Sequence, residues 1–119
     1  MPTIKRGENF LERKNLFDVD GTTPLVISSL ATLSVQIKQY GYVLAEYTLL
    51  PTPNPIQTQI RVGPGGTNQL EVEITEALSD TFKEGPVRMK ILMRKVDAQF
   101  VSDVEWRDLD EVEICTVEA

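Results

Sequence analysis

The chain has 119 residues, 41% of them hydrophobic and 25% charged, a size and balance that suit one domain with its own core and exclude wholesale disorder or a fibrous repeat. Eighteen acidic against twelve basic residues leave a net charge of -6, which disfavours nucleic-acid and anionic-membrane partners because both require a positive field. With no histidine and one cysteine, the chain lacks the Ser-His-Asp and Cys-His nucleophile arrangements, the commonest transition-metal ligand and any internal disulfide.

The opening MPTIKRGENF has no apolar signal-peptide stretch, so the protein is expected to stay in a cytoplasm or in an assembly built there. A strand is predicted over Asn9–Asp18, with Phe10, Leu11, Leu16 and Phe17 as its apolar points and a bulge or edge position behind the imperfect alternation; a helix is the competing reading. Asp18-Val19-Asp20-Gly21-Thr22 supplies turn chemistry. The run Gly21–Gln36 is uncharged but broken by Thr, Pro and Ser, which excludes a membrane span. Within it begins the cleanest strand pattern, Ala31, Leu33, Val35 and Ile37 alternating with Thr32, Ser34, Gln36 and Lys38. Tyr40-Gly41 ends that strand and Tyr42–Leu49 forms the next. Pro51–Pro55 reads as a stiff loop, and Ile56, Thr58, Ile60 and Val62 as a further strand stopped by Gly63-Pro64-Gly65-Gly66.

Asn68–Lys95 is the stretch around which the rest is organised. Leu70, Val72 and Ile74 alternate with Glu71, Glu73 and Thr75; beyond a polar connection, Val87, Met89, Ile91 and Met93 alternate again. Period two on both sides of a turn predicts two antiparallel strands, each with one face in a core. Phe82 is placed as the plug at the end of that core, with at most one helical turn near Thr75–Phe82. Asp97 and Ala98 make the next turn. Gln99–Val117 then carries Phe100, Val104, Trp106, Val112, Ile114 and either Cys115 or Val117 on apolar positions, as two strands divided at Arg107–Asp110 or one bent strand. The total is about seven or eight strands at about ten-residue spacing, the pattern of a single all-β sandwich or small barrel over residues 1–119.

Several short motifs carry possible chemistry. Leu16–Thr22 contains Asp18-x-Asp20-Gly-Thr, which resembles the nucleophile loop of haloacid dehalogenase phosphatases. That family, however, needs a parallel sheet with crossover helices, and this chain has neither the length nor the alternation for it. Asp18 and Asp20 are also the candidate metal ligands, since Asp-x-Asp-Gly is how a calcium loop of the EF-hand kind continues, but Leu25-Val26-Ile27 stands where further oxygen ligands and the closing Glu would be. A β-turn is the preferred reading of both. Asp103, Glu105, Asp108, Asp110 and Glu111 read as a solvated face and loop, and Gly63–Gly66 lacks the Lys-Ser/Thr of a phosphate loop. Cys115 reads as a small buried hydrophobe. Trp106 with Tyr40, Tyr42 and Tyr47 could form an aromatic ligand platform, against the commoner role of core Trp and strand tyrosines.

Taken in order, Gly7 with an early strand, DVDGTTPLVISSLATLSVQIKQ, a hairpin, NQLEVEIT and ALSDTFKEGPVRMKILMR resemble the N-terminal domain of the tailed-phage baseplate upper protein family, over roughly Ile4 to Val117. Pro86-Val87 departs from the family's aromatic after Gly85, and Arg107–Asp110 lengthens the last part. The resemblance implies an immunoglobulin-like antiparallel β-sandwich of seven to eight strands. It implies a non-enzymatic virion protein, assembled in the bacterial cytoplasm without cofactors, that docks other virion structural proteins and forms homo-oligomers. The contact residues expected on that reading are Ile4, Lys5, Arg6 and Phe10 in an N-terminal arm, and Asp103, Arg107 and Asp108. A carbohydrate- or ligand-binding sandwich is the runner-up, favoured by an exposed Trp106. An enzyme comes third and would need Asp18 and Asp20 to converge on one point.

Overall fold

The computed structural model describes residues 3–18, 21–49, 59–96, 98–99 and 104–118, without the side chains of 96 and 104–106. In chain order, the strands among these residues are β1 (Thr3–Ile4), β2 (Phe10–Asn15), β3 (Thr32–Gln39), β4 (Tyr42–Leu49), β5 (Ile60–Val62), β6 (Gln69–Ile74), β7 (Gly85–Val96) and β8 (Val104–Val117). One short helix, α1 (Glu76–Ser79), lies between β6 and β7. Five strands form one sheet in the order β1-β8-β7-β3-β4, and three form a second in the order β2-β6-β5. All pairs are antiparallel except β1 with β8. The expected all-β sandwich is therefore what the chain builds. No helix among the described residues is long and apolar enough to cross a membrane.

Alternation sets the faces. Leu33, Val35 and Ile37 of β3, Leu70, Val72 and Ile74 of β6, and Val87, Met89, Ile91 and Met93 of β7 are buried between the sheets. Each aliphatic side chain fully removed from water contributes about 1.5–3 kcal/mol, so these rows are the main favourable contribution to folding. Phe82 closes the end of this core, buried as expected.

The central stretch departs from expectation in one respect: β6 and β7 do not pair. β6 sits between β2 and β5, whereas β7 sits between β3 and β8 in the other sheet. Period two reports which face of a strand is buried, and it is silent on the neighbour across the ladder. The switch of sheet is made by α1, whose first turn is capped by Thr75 Oγ1 accepting from the Leu78 N–H at 3.2 Å, and by the turn through Phe82.

The first predicted strand is shorter than Asn9–Asp18. Beyond Asn15 the chain leaves the ladder, with Phe17 bridging Pro24, the Asp18 N–H donating to Thr23 O at 2.8 Å and the Gly21 N–H donating to Asp18 O at 2.9 Å. The Gly21 N–H to Asp18 O bond has the span that the preferred β-turn requires, and Val19 and Asp20 lie outside the described residues. The two-residue β1 carries no periodicity and was not predicted.

At the other end, β8 is one strand with two bulges rather than two strands. Register shifts opposite Ile91/Leu92 and Val87/Arg88 leave Leu109 and Ile114 without partners. The second bulge explains why Ile114 and its neighbour Cys115 are both buried, along with Val117, where strict alternation would turn one of them out. Ile56, Thr58 and the Pro51–Pro55 loop lie outside the described residues.

Candidate functional site

Two regions gather side chains that the core does not use. The first is the corner where the Asp18 turn meets the upper bulge of β8. Arg107 Nη2 approaches Asp18 Oδ1 at 3.3 Å, and Lys14 Nζ lies 2.9 Å from Asp110 Oδ2, so both pairs tie the small sheet's edge to β8. Phe17 stays 43% exposed beside them. Two shallow cavities of about 260 and 270 Å³ share Phe17, Asp18 and Leu109 in their linings.

This corner unites residues named separately from the sequence. Asp18, the candidate metal ligand, is held by a guanidinium, and no cluster of three or more acidic, Cys or His ligands occurs among the described residues. Asp20 and Asp103 lie outside the described residues. Asp108 is exposed and lies 3.5 Å from Lys90 across the ladder.

Of the N-terminal contact residues, Ile4 is held in the sheet rather than in a free arm. Ile4 is buried and paired with Val117, and the Glu118 N–H donates to Ile4 O at 2.9 Å. The Gly7 N–H donates to Ser79 Oγ at 3.0 Å, pinning the following turn to α1. Lys5 and Arg6 are exposed, and Phe10 is half-buried against the core.

The second region is the hairpin end of β3 and β4. Gln39 and Tyr42 form the last rung, so Tyr40 and Gly41 alone make the loop, with φ of 52° and 82°. Two positive φ values are the pattern of a type I′ turn, which normally asks for Asn or Gly first. Tyr40 takes that strained place while its hydroxyl donates to Glu84 O. Gly85 makes room for it: a Cβ there would overlap the phenol oxygen and lie 3.0 Å from Cζ. Beneath, buried Gln39 donates through Nε2 to Lys83 O at 2.6 Å and accepts from the Lys83 N–H at 2.8 Å. A bulge at Leu44, left by the register shift between Ile37 and Lys38, re-aims the start of β4. Tyr42, 75% exposed, and Leu44 then face the 81–83 loop across a cavity of about 260 Å³.

Of the predicted aromatic platform, Tyr40 and Tyr42 meet here. Tyr47 is partly buried against the core, and the Trp106 side chain lies outside the described set. Cys115 is fully buried, its thiol pushed up to about 11 by burial and then by the nearby carboxylates of Glu12 and Glu113, which disfavours the reactive thiolate.

Sequence reasoning missed one further cluster. Glu71, at the centre of β6, accepts from Arg13 Nε at 2.7 Å and Arg61 Nε at 2.6 Å, one from each flanking strand. These two hydrogen bonds hold its carboxyl below the usual carboxylate range. The cluster fastens three strands. Comparison with models of known protein families finds no match, and comparison with curated protein sequences finds none either.

Proposed function

We propose that this protein is a non-enzymatic structural module of a tailed-phage particle, belonging to its baseplate, tail or head periphery and docking neighbouring virion proteins. The observation that carries the reading is the Phe17 corner. A half-exposed aromatic there sits over two shallow cavities on a frame held by the Asp18–Arg107 and Lys14–Asp110 ion pairs. An apolar anchor inside a charged rim, on a rigid sandwich, is how protein neighbours are commonly engaged. The order of sandwich segments that resembles the baseplate upper protein family supplies the setting, and assembly as symmetric copies in the bacterial cytoplasm belongs to the same proposal.

The test is immunogold labelling of particles released from a lysed culture of the strain that carries the chain's gene, with antibody raised against the purified chain. Gold on tails, baseplates or heads supports the proposal. Purified particles that carry neither gold nor the chain's peptides by mass spectrometry overturn it.

A further inference from the structure

We propose that the hairpin-end cavity binds a single pyranose ring of a carbohydrate. The inference goes beyond the structural role above and does not depend on it.

Four features of the chain converge on this cavity. The bulge at Leu44 departs from the ladder at the strand start that forms one wall. Tyr40 is the one non-glycine residue with positive φ among the described residues, and such strain is tolerated where surroundings enforce it, often at binding sites. The opposite wall, Thr81 to Lys83, is fixed by the paired Gln39 hydrogen bonds, so the site is formed before any ligand arrives. Tyr40 and Tyr42, exposed by 60% and 75%, leave ring surface in water at its mouth.

The lining specifies the ligand class. Tyrosine rings offer a flat apolar face with a polar tip, which matches the C–H face and hydroxyl edge of a pyranose. Leu44 extends the apolar floor. Lys83, exposed at the rim, offers ammonium donors, and Thr81 Oγ, already donating to Leu78 O at 2.6 Å, keeps its lone pairs to accept from a sugar hydroxyl. A volume of about 260 Å³ is below the range of about 300–1,000 Å³ for sites that enclose drug-sized ligands, so one ring enters and the rest of a glycan stays outside.

The experiment is ¹H–¹⁵N NMR titration of the intact chain with methyl glycosides of neutral, amino and acidic hexoses, each to about 50 mM, followed by Tyr42→Ala and Lys83→Ala. At least one glycoside is expected to move the amide signals of Tyr40–Leu44 and Thr81–Lys83 with saturation. Tyr42→Ala is expected to weaken binding at least tenfold with an unchanged melting temperature, and Lys83→Ala to weaken it less. No saturable shift with any glycoside overturns the proposal, as does saturation that maps elsewhere or survives Tyr42→Ala. Occupation of the cavity by a proline- or tyrosine-bearing peptide instead of any sugar also overturns it. Particle labelling is scored separately, so either idea can fail alone.

Discussion

Gln39 and Lys83 exchange two hydrogen bonds as if they were neighbouring strand residues, although one partner is a side-chain amide. That rung fastens the hairpin end to the loop that closes the core beside Phe82. Replacing Gln39 with Leu leaves the Lys83 N–H and C=O without their partners, at a cost of about 1–3 kcal/mol. Urea unfolding is expected to show a lower midpoint at unchanged slope; an unchanged midpoint would mean that water serves Lys83 equally well.

Glu71 carries a different kind of load, since two guanidinium groups converge on a carboxylate whose side chain is 8% exposed. Glu71→Ala is expected to destabilise by about 1–3 kcal/mol, below the full value for a buried pair because Arg13 and Arg61 both reach solvent. The same contacts set a pH dependence. A carboxyl held below its ordinary 4.5 favours folding fully above that value and loses its contribution as pH falls through the depressed one. Between pH 6 and pH 3, the wild type should therefore lose more stability than Glu71→Ala; equal slopes in the two proteins would refute this assignment.

Gly85 and Tyr40 are coupled sterically. Gly85→Ala would meet the Tyr40 phenol and also sit at φ +120°, so a loss of about 1–3 kcal/mol is expected. Tyr40→Ala in the same chain removes the overlap but not the backbone strain. The double variant should thus be more stable than the two separate losses predict, and strict additivity would count against the contact.

Cys115 should resist alkylation in the native protein at pH 8 and react at once in denaturant, followed as a mass shift with iodoacetamide. A thiol raised above its ordinary 9.0 binds its proton more tightly when folded, so its contribution to stability holds below pH 9 and fades as pH climbs towards about 11. Rapid native labelling would place the thiol in water.

Much of the frame is readable from the chain, and the reason is local. The alternation in β3, β6 and β7, the Tyr40-Gly41 and Gly63–Gly66 turns, and the Phe82 plug each depend on residues within one strand or one turn. What could not be read depends on partners remote in sequence. Gln39 and Lys83 are 44 residues apart, Arg13 and Glu71 58, and Asp18 and Arg107 89. Asp18 and Arg107 were each singled out, yet nothing in either neighbourhood announces that they meet. Ile4 is a contact residue on the reading that the family resemblance implies, whereas two ladder residues against β8 suffice to bury it. The bulges of β8 are illegible for a related reason, as a bulge is defined against the partner strand.

The central place of β3 has a consequence for how fast the chain reaches its fold. On one side β3 pairs with β4 across a two-residue turn, a closure that takes microseconds. On the other it must find β7, about fifty to sixty residues further on, and loop closure of that length carries its entropic cost before any ladder bond forms. Docking of the β3–β4 hairpin onto β7 is therefore expected to be one of the slow steps of folding, alongside the equally distant pairing of β2 with β6. Substitutions along the Val35–Ile91 and Ile37–Met89 rungs should slow refolding, while those confined to the hairpin tip should mostly alter the population of the hairpin in the unfolded chain.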